Sequence, residues 1–129
     1  MAQLGNENPA NDVGDGPNEM GDYLPEVSLG SGVVASQMEC GMYHTCVLEA
    51  SSNQIKCWGE NEYGKLGIGD EENRGNNVNE MGDYLPFLDL GTGSTIYDFN
   101  AGDSTSVFFY FSKFIFSQIF HSILVCYPQ

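Results

Sequence analysis

Cys40, His44, Cys46 and Cys57 fall within one short stretch, and their side chains could bind metal, form a disulfide or serve catalysis. A zinc site needs thiolates and imidazoles brought to one tetrahedron. The spacing C-x5-C-x10-C fits no common zinc finger, and no cysteine pair shows C-x-x-C spacing. A packed thiol pair between Cys46 and Cys57 is the expectation. A disulfide in an oxidising compartment and a cross-strand metal site with further ligands are the alternatives. A catalytic histidine needs a nucleophile or carboxylate positioned within reach, and no such constellation stands out around His44 or His121. No catalytic, cofactor-binding or metal-binding residue is assigned, and no cofactor is expected.

Two further motifs carry a chemical suggestion. Gly30-Ser31-Gly32-Val33-Val34-Ala35 spells G-x-G-x-x-A, but dinucleotide binding needs a helix to open there. Val33 onward has strand character, so a turn between strands is expected. Asp70-Glu71-Glu72-Asn73-Arg74-Gly75 resembles the start of a calcium loop. Its fifth position is Arg74 and its twelfth is Met81, where an EF-hand requires an oxygen ligand and a bidentate Glu. A solvated acidic loop is expected instead.

The elements that must position these residues are β. Val33–Glu39, His44–Glu49 and Gln54–Trp58 are short runs separated by Gly, Asn and Ser. A hairpin turn centred on Ser51 and Ser52 sets Leu48 opposite Ile55, Val47 opposite Lys56 and Cys46 opposite Cys57. Side chains alternate along a strand, so the Cys46–Cys57 and Leu48–Ile55 pairs share one face. Thr45 and Trp58 belong to the other. The stretch Gly64–Asn79 is rich in Gly and Asn and reads as a long, exposed acidic loop.

The 129-residue chain carries 4 Lys plus Arg against 18 Asp plus Glu, a formal net charge of −14. Such a surface repels phosphate backbones, so nucleic acid is not expected as a partner. An acidic field instead draws basic proteins. Residues 1–20 lack both the basic start and the apolar stretch of a signal peptide, which weakly favours the cytoplasm.

Asn18–Gly32 reads NEMGDYLPEVSLGSG and Asn79–Gly93 reads NEMGDYLPFLDLGTG. Eleven of these fifteen positions are identical, at an offset of 61 residues. With a one-residue gap, Gln3-Leu4-Gly5 also matches Lys65-Leu66-Gly67. A period of this kind marks arrays or propellers whose units pack on their neighbours. The expected organisation is a partial first repeat over 1–32 and a complete central repeat over 33–93. The start of a third follows over 94–106, and then a Phe-rich hydrophobic tail over 107–129.

Cys40-Gly41-x-x-His44-Thr45-Cys46-x-Leu48, followed by Ile55-Lys56-Cys57-Trp58-Gly59-x-Asn61-x-x-Gly64-Lys65-Leu66-Gly67-x-Gly69, closely resembles one repeat of the regulator of chromosome condensation family. The similarity covers roughly residues 2–102. It implies four-stranded blades of a β-propeller, present here as about two blades that do not close a ring. It also implies a non-enzymatic protein-interaction role, His44 as a framework residue and Trp58 as an anchor between blades. The founding member promotes nucleotide exchange on a small GTPase, so a small GTPase is one candidate partner by analogy. In the third copy the pattern keeps Ala101-Gly102 and then breaks, with Thr105 in place of His44 and Ile119 in place of Trp58.

Residues 107–127 contain 15 apolar side chains of 21, six of them Phe, and one charge, Lys113. Three expectations compete for this tail: a strand pair in a degenerate blade, a membrane-spanning helix of the usual length of about 20 residues, or an aberrant end appended to a true repeat. The corresponding functions are a protein-interaction module, as a fragment presenting loops such as Gly67–Asn79, a regulator of GTPase nucleotide exchange, and a membrane-tethered acidic module.

Overall fold

The computed structural model describes residues 2–8, 13–102, 106–112 and 122–125. These form two antiparallel sheets of three strands each, with no α-helix among the described residues. The first sheet comprises β1 (Ala35–Cys40), β2 (His44–Glu49) and β3 (Ile55–Gly59). The second comprises β4 (Ser94–Ala101), β5 (Ser106–Ser112) and β6 (Ser122–Val125). Short 3-10 turns occupy Ala2–Leu4, Gly21–Tyr23, Glu62–Gly64 and Gly82–Tyr84.

The β2–β3 hairpin has the register its sequence predicts: Cys46 opposes Cys57, Val47 opposes Lys56 and Leu48 opposes Ile55. The Glu49 carboxylate closes the turn by accepting the backbone N–H groups of Ser51 and Ser52. Asn53 takes the left-handed backbone conformation (φ 53°) that Asn tolerates better than most residues. Alternation then splits the hairpin between two cores. Cys46, Leu48, Ile55 and Cys57 pack with Leu66, Leu88, Ile96 and Phe99. On the opposite face Val47 and Trp58 pack with Met81 and Leu85. Every residue of β2 and β3 is buried as a result.

Burial on both faces takes polar side chains out of water, and such groups need internal partners. Thr45 Oγ1 and Trp58 Nε1 both donate to the Gln3 carbonyl, at 3.2 and 3.0 Å. Lys56 Nζ donates to the carbonyls of Leu29 and Gly82, at 2.7 and 2.8 Å, and lies 4.8 Å from the centre of the Phe87 ring.

Three expectations are corrected. The central sheet has three strands among the described residues, not four. Beside β3 runs no further ladder: Pro86 has no N–H to contribute, and backbone contact is reduced to Leu88 N–H on Ile55 O and a single bridge between Gly59 and Arg74. Cys46 and Cys57 form a disulfide instead of a packed thiol pair. They are directly opposed on adjacent strands with Cα atoms 4.1 Å apart, close enough for their sulfurs to meet. Residues 106–112 and 122–125 are strands, so one membrane-spanning helix over 107–127 does not form. No helix among the described residues is long and apolar enough to cross a membrane. Residues 113–121 and 126–129 lie outside the described residues.

The second sheet repeats the first more closely than its residues suggest. Met38 opposes Val47 and Phe99 opposes Phe108; Cys40 opposes Thr45 and Ala101 opposes Ser106. Both partners move by 61, and even the irregularity after Ala35 recurs after Ile96. The departure comes at the third strand. Val125 opposes Val107, whereas a shift of 61 from the Cys46–Cys57 pair would place residue 118 there.

Candidate interaction surface

Of the cysteine and histidine cluster, His44, Cys46 and Cys57 are buried and Cys40 is exposed. Cys40 is a free, exposed thiol at the end of β1, while Cys46 and Cys57 are covalently tied in the first core. No group of three or more metal-ligating side chains exists among the described residues. His44 is fully buried at the start of β2. Burial, and then the nearby Lys65 charge, hold its imidazole below the ordinary value of 6.5, against an opposing pull from Glu60. The ring is accordingly neutral at neutral pH.

Two glycines make room for it. A Cβ at Gly41 would strike the His44 ring and the Gly102 carbonyl. Gly59 has φ +119°, and a Cβ there would strike Tyr43 O and the His44 backbone. This explains physically why Cys-Gly-x-x-His and Trp-Gly occur together: the imidazole fills the space a side chain at Gly41 would take, and the chain at Tyr43 and His44 fills that at Gly59.

Asn61 performs the matching task for the loop that follows. Its Oδ1 accepts the Leu66 N–H at 2.9 Å, and its Nδ2 donates to the Asp70 carbonyl and to Asp70 Oδ1, at 2.8 and 3.1 Å. Its own N–H reaches Asn73 Oδ1 at 2.8 Å. Leu66 is thereby delivered into the first core. The 64–79 stretch is thus a folded loop, not the merely solvated one its composition suggested.

The calcium-like segment inside it is internally satisfied. Asp70 Oδ2 receives Arg74 at 2.6 Å, and Oδ1 accepts the Glu72 N–H at 3.0 Å. Further along, Glu80 Oε2 accepts the N–H groups of Gly75, Asn76 and Asn77 at 3.0, 3.0 and 2.8 Å. Burial pushes the Glu80 carboxyl up, but these bonds together with the Asn77 side chain outweigh it, so its pKa falls below 4.5. Glu19, one repeat earlier, does the same for Gly14 and Gly16. The G-x-G-x-x-A segment is a turn leading into β1, and no helix opens there. Ser31 within it donates its N–H and its hydroxyl to Asp83, at 2.7 and 2.9 Å, tying the first copy to the second.

What this framework presents outward is an acidic loop. Glu62, Glu71 and Glu72 are exposed around it. Lys65 is buried and paired with Glu60 at 2.6 Å, and Arg74 is paired with Asp70. Sequence reasoning placed the loop but missed the buried Lys56 clamp. Lys56 sits on the Val47 side of an alternating strand, which is the signal that could have exposed it.

A three-stranded antiparallel sheet whose glycines, histidine and Trp lock it to its neighbours defines a repeat of propeller type. Residues 35–65, from β1 through the Asn61 turn, match the family model described as Regulator of chromosome condensation (RCC1) repeat. Residues 35–65 are thus similar to one repeat of that family. The chain is also similar to proteins named probable E3 ubiquitin-protein ligase HERC4. The human protein is 34% identical over 59 residues, which are 44% of this chain and 6% of the relative. The rat protein is 49% identical over 35 residues, 27% of this chain and 3% of the relative. The matched stretch is thus a small part of those relatives.

Proposed function

We propose that the chain is a non-enzymatic protein-interaction module of propeller type that offers its 67–79 loop to a basic segment of a protein partner. The observation that carries this is how the cations are used. Lys56, Lys65 and Arg74 all spend their charge on internal partners. The exposed carboxylates of the loop therefore face solvent uncompensated, on a chain of net charge −14. Anchors at Asn61, Asp70 and Glu80 hold the loop in shape before any partner arrives, which lowers the ordering cost of binding.

The ligase activity named for the relatives is not carried over, because the shared stretch is at most 6% of them. The test is a titration of the full chain with a Lys/Arg-rich peptide, followed by backbone amide shifts. Shifts confined to 67–79, weakened by salt and by Glu71→Lys with Glu72→Lys, support the module. An absence of binding, or shifts that ignore both changes, overturns it. A nucleotide-release assay on a small GTPase separates this role from nucleotide exchange.

A further inference from the structure

The backbone between Gly59 and Arg74 leaves β3 and returns to the same place. Gly59 N–H donates to Arg74 O at 2.8 Å and Arg74 N–H to Gly59 O at 3.0 Å, so the two ends are pinned together. Asn61, buried just past β3, holds what lies between. Its side chain accepts the Leu66 N–H and donates to Asp70, and its own N–H donates to Asn73 Oδ1. The Lys65–Glu60 pair is a second clasp. Of the apolar side chains in 62–73, Leu66 alone is fully buried, and Ile68 is half-buried. Both pack in the core that contains Cys46 and Cys57, each of which is 0% exposed.

The remaining cover of that core is tied down more firmly. Ile96 and Phe99 belong to β4, which is laddered to β5, and Leu88 N–H is bonded to Ile55 O. Cys57 lies on β3 between Ile55 and Gly59, next to the point where the 62–73 segment departs. That segment also carries strain. Tyr63 has φ 62° and ψ 22°, a left-handed conformation that is costly for a bulky residue, and it is 56% exposed, so little packing offsets the cost. A strained segment with few buried apolar contacts opens before the sheet beneath it.

We propose that the Cys46–Cys57 bond is a redox site for small dithiols and that residues 62–73 are its lid, so that reduction proceeds through opening of the lid while the first sheet stays folded. Gly59 and Arg74 are the hinge, Asn61 is the latch and Leu66 is the plug. A thiolate of the dithiol attacks one sulfur, the S–S bond breaks, and its electron pair leaves on the other cysteine. The dithiol's second thiolate then displaces the cysteine still attached and departs as a cyclic disulfide. The protein gains two electrons and, once both thiolates are protonated, two protons. The lid is independent of what the 67–79 loop binds.

The rate of reduction of the full chain by dithiothreitol tests this, with Cys46 and Cys57 counted by alkylation and mass spectrometry. Asn61→Ala loosens the latch and should speed reduction about 30- to 100-fold. Tyr63→Asn relieves the left-handed strain and should slow it about threefold. Lys56→Met weakens the chain from the opposite face of the hairpin, where the ammonium bonds the carbonyls of Leu29 and Gly82. It should leave the rate within about twofold. Urea below the unfolding transition should change the rate little, since lid opening exposes little surface. Circular dichroism should show each variant folded before reductant is added. A rate that Asn61→Ala does not raise overturns the proposal. So does one that Lys56→Met raises as much, or that climbs with urea as steeply as global unfolding.

Discussion

Gln37 and Asp98 occupy the same strand position one repeat apart, and they touch: Gln37 Nε2 donates to Asp98 Oδ1 at 3.3 Å and to the Phe99 carbonyl at 3.2 Å. Nearby, the Gly102 carbonyl lies against Gly41, again a separation of 61. A repeat in sequence has become a neighbour relation in space, with β1 of one unit against β4 of the next. This is how an array buries apolar faces that no unit could bury alone.

Acid should destabilise the fold in two stages. His44 has its folded pKa lowered, so the unfolded chain takes up its proton first and stability begins to fall below about pH 6.5. The carboxylates follow. Hydrogen bonds from the Ser52 hydroxyl, then from the Ser52 and Ser51 N–H groups, hold Glu49 down at about 2. Glu19, Glu80 and Asp83 are also lowered. The stability they contribute is fully present above the ordinary carboxylate value of 4.5 and is lost as pH falls toward about 2. Urea melts at a series of pH values should show both stages, and Glu49→Gln should flatten the lower one.

The Cys46–Cys57 bond closes a loop of sequence separation 11. Loop-closure entropy for such a length corresponds to about 3 kcal/mol of stability. Reduction should lower the midpoint of thermal unfolding accordingly, and Cys46→Ala with Cys57→Ala should reproduce the effect without reductant. Peptide mapping under non-reducing conditions should recover the two cysteines as one linked species, with Cys40 alkylated.

Asn61→Ala removes three hydrogen bonds from a fully buried side chain and leaves the Leu66 N–H without its acceptor. The expected loss is about 2–3 kcal/mol. Chemical denaturation measures it. Amide exchange should also quicken along 66–70 before the rest of the chain opens.

Lys56→Met keeps the apolar stem but abandons the carbonyls of Leu29 and Gly82. The ammonium is already strained by burial, which lowers its pKa against the pull of Asp83. The net loss should therefore be modest, about 2 kcal/mol. The sharper readout is local: amides near Leu29 and Gly82 should exchange faster, since Lys56 links these two loops.

Much of the framework was legible beforehand. Turn length and alternation fixed the β2–β3 register and assigned Cys46 and Leu48 to one face, Thr45 and Trp58 to the other. The repeat and its spaced signature pointed to the family. Less was legible where long-range contacts decide. The fourth strand expected from the resemblance is replaced by loop backbone that includes Pro86. The apolar run after residue 106 has the composition of a membrane helix, but its first part, β5, pairs with β4.

By itself the sequence determined the local geometry: hairpin register, the paired 3-10 turns, and the two faces of each strand. These follow from short-range backbone preferences and a side-chain period of two. Tertiary structure alone decided burial. Leu24 and Leu85 lie in the same octapeptide with nearly the same dihedral angles, and one is open while the other is sealed. Exposure belongs to a residue's neighbours, and those come from parts of the chain whose arrival no local pattern encodes.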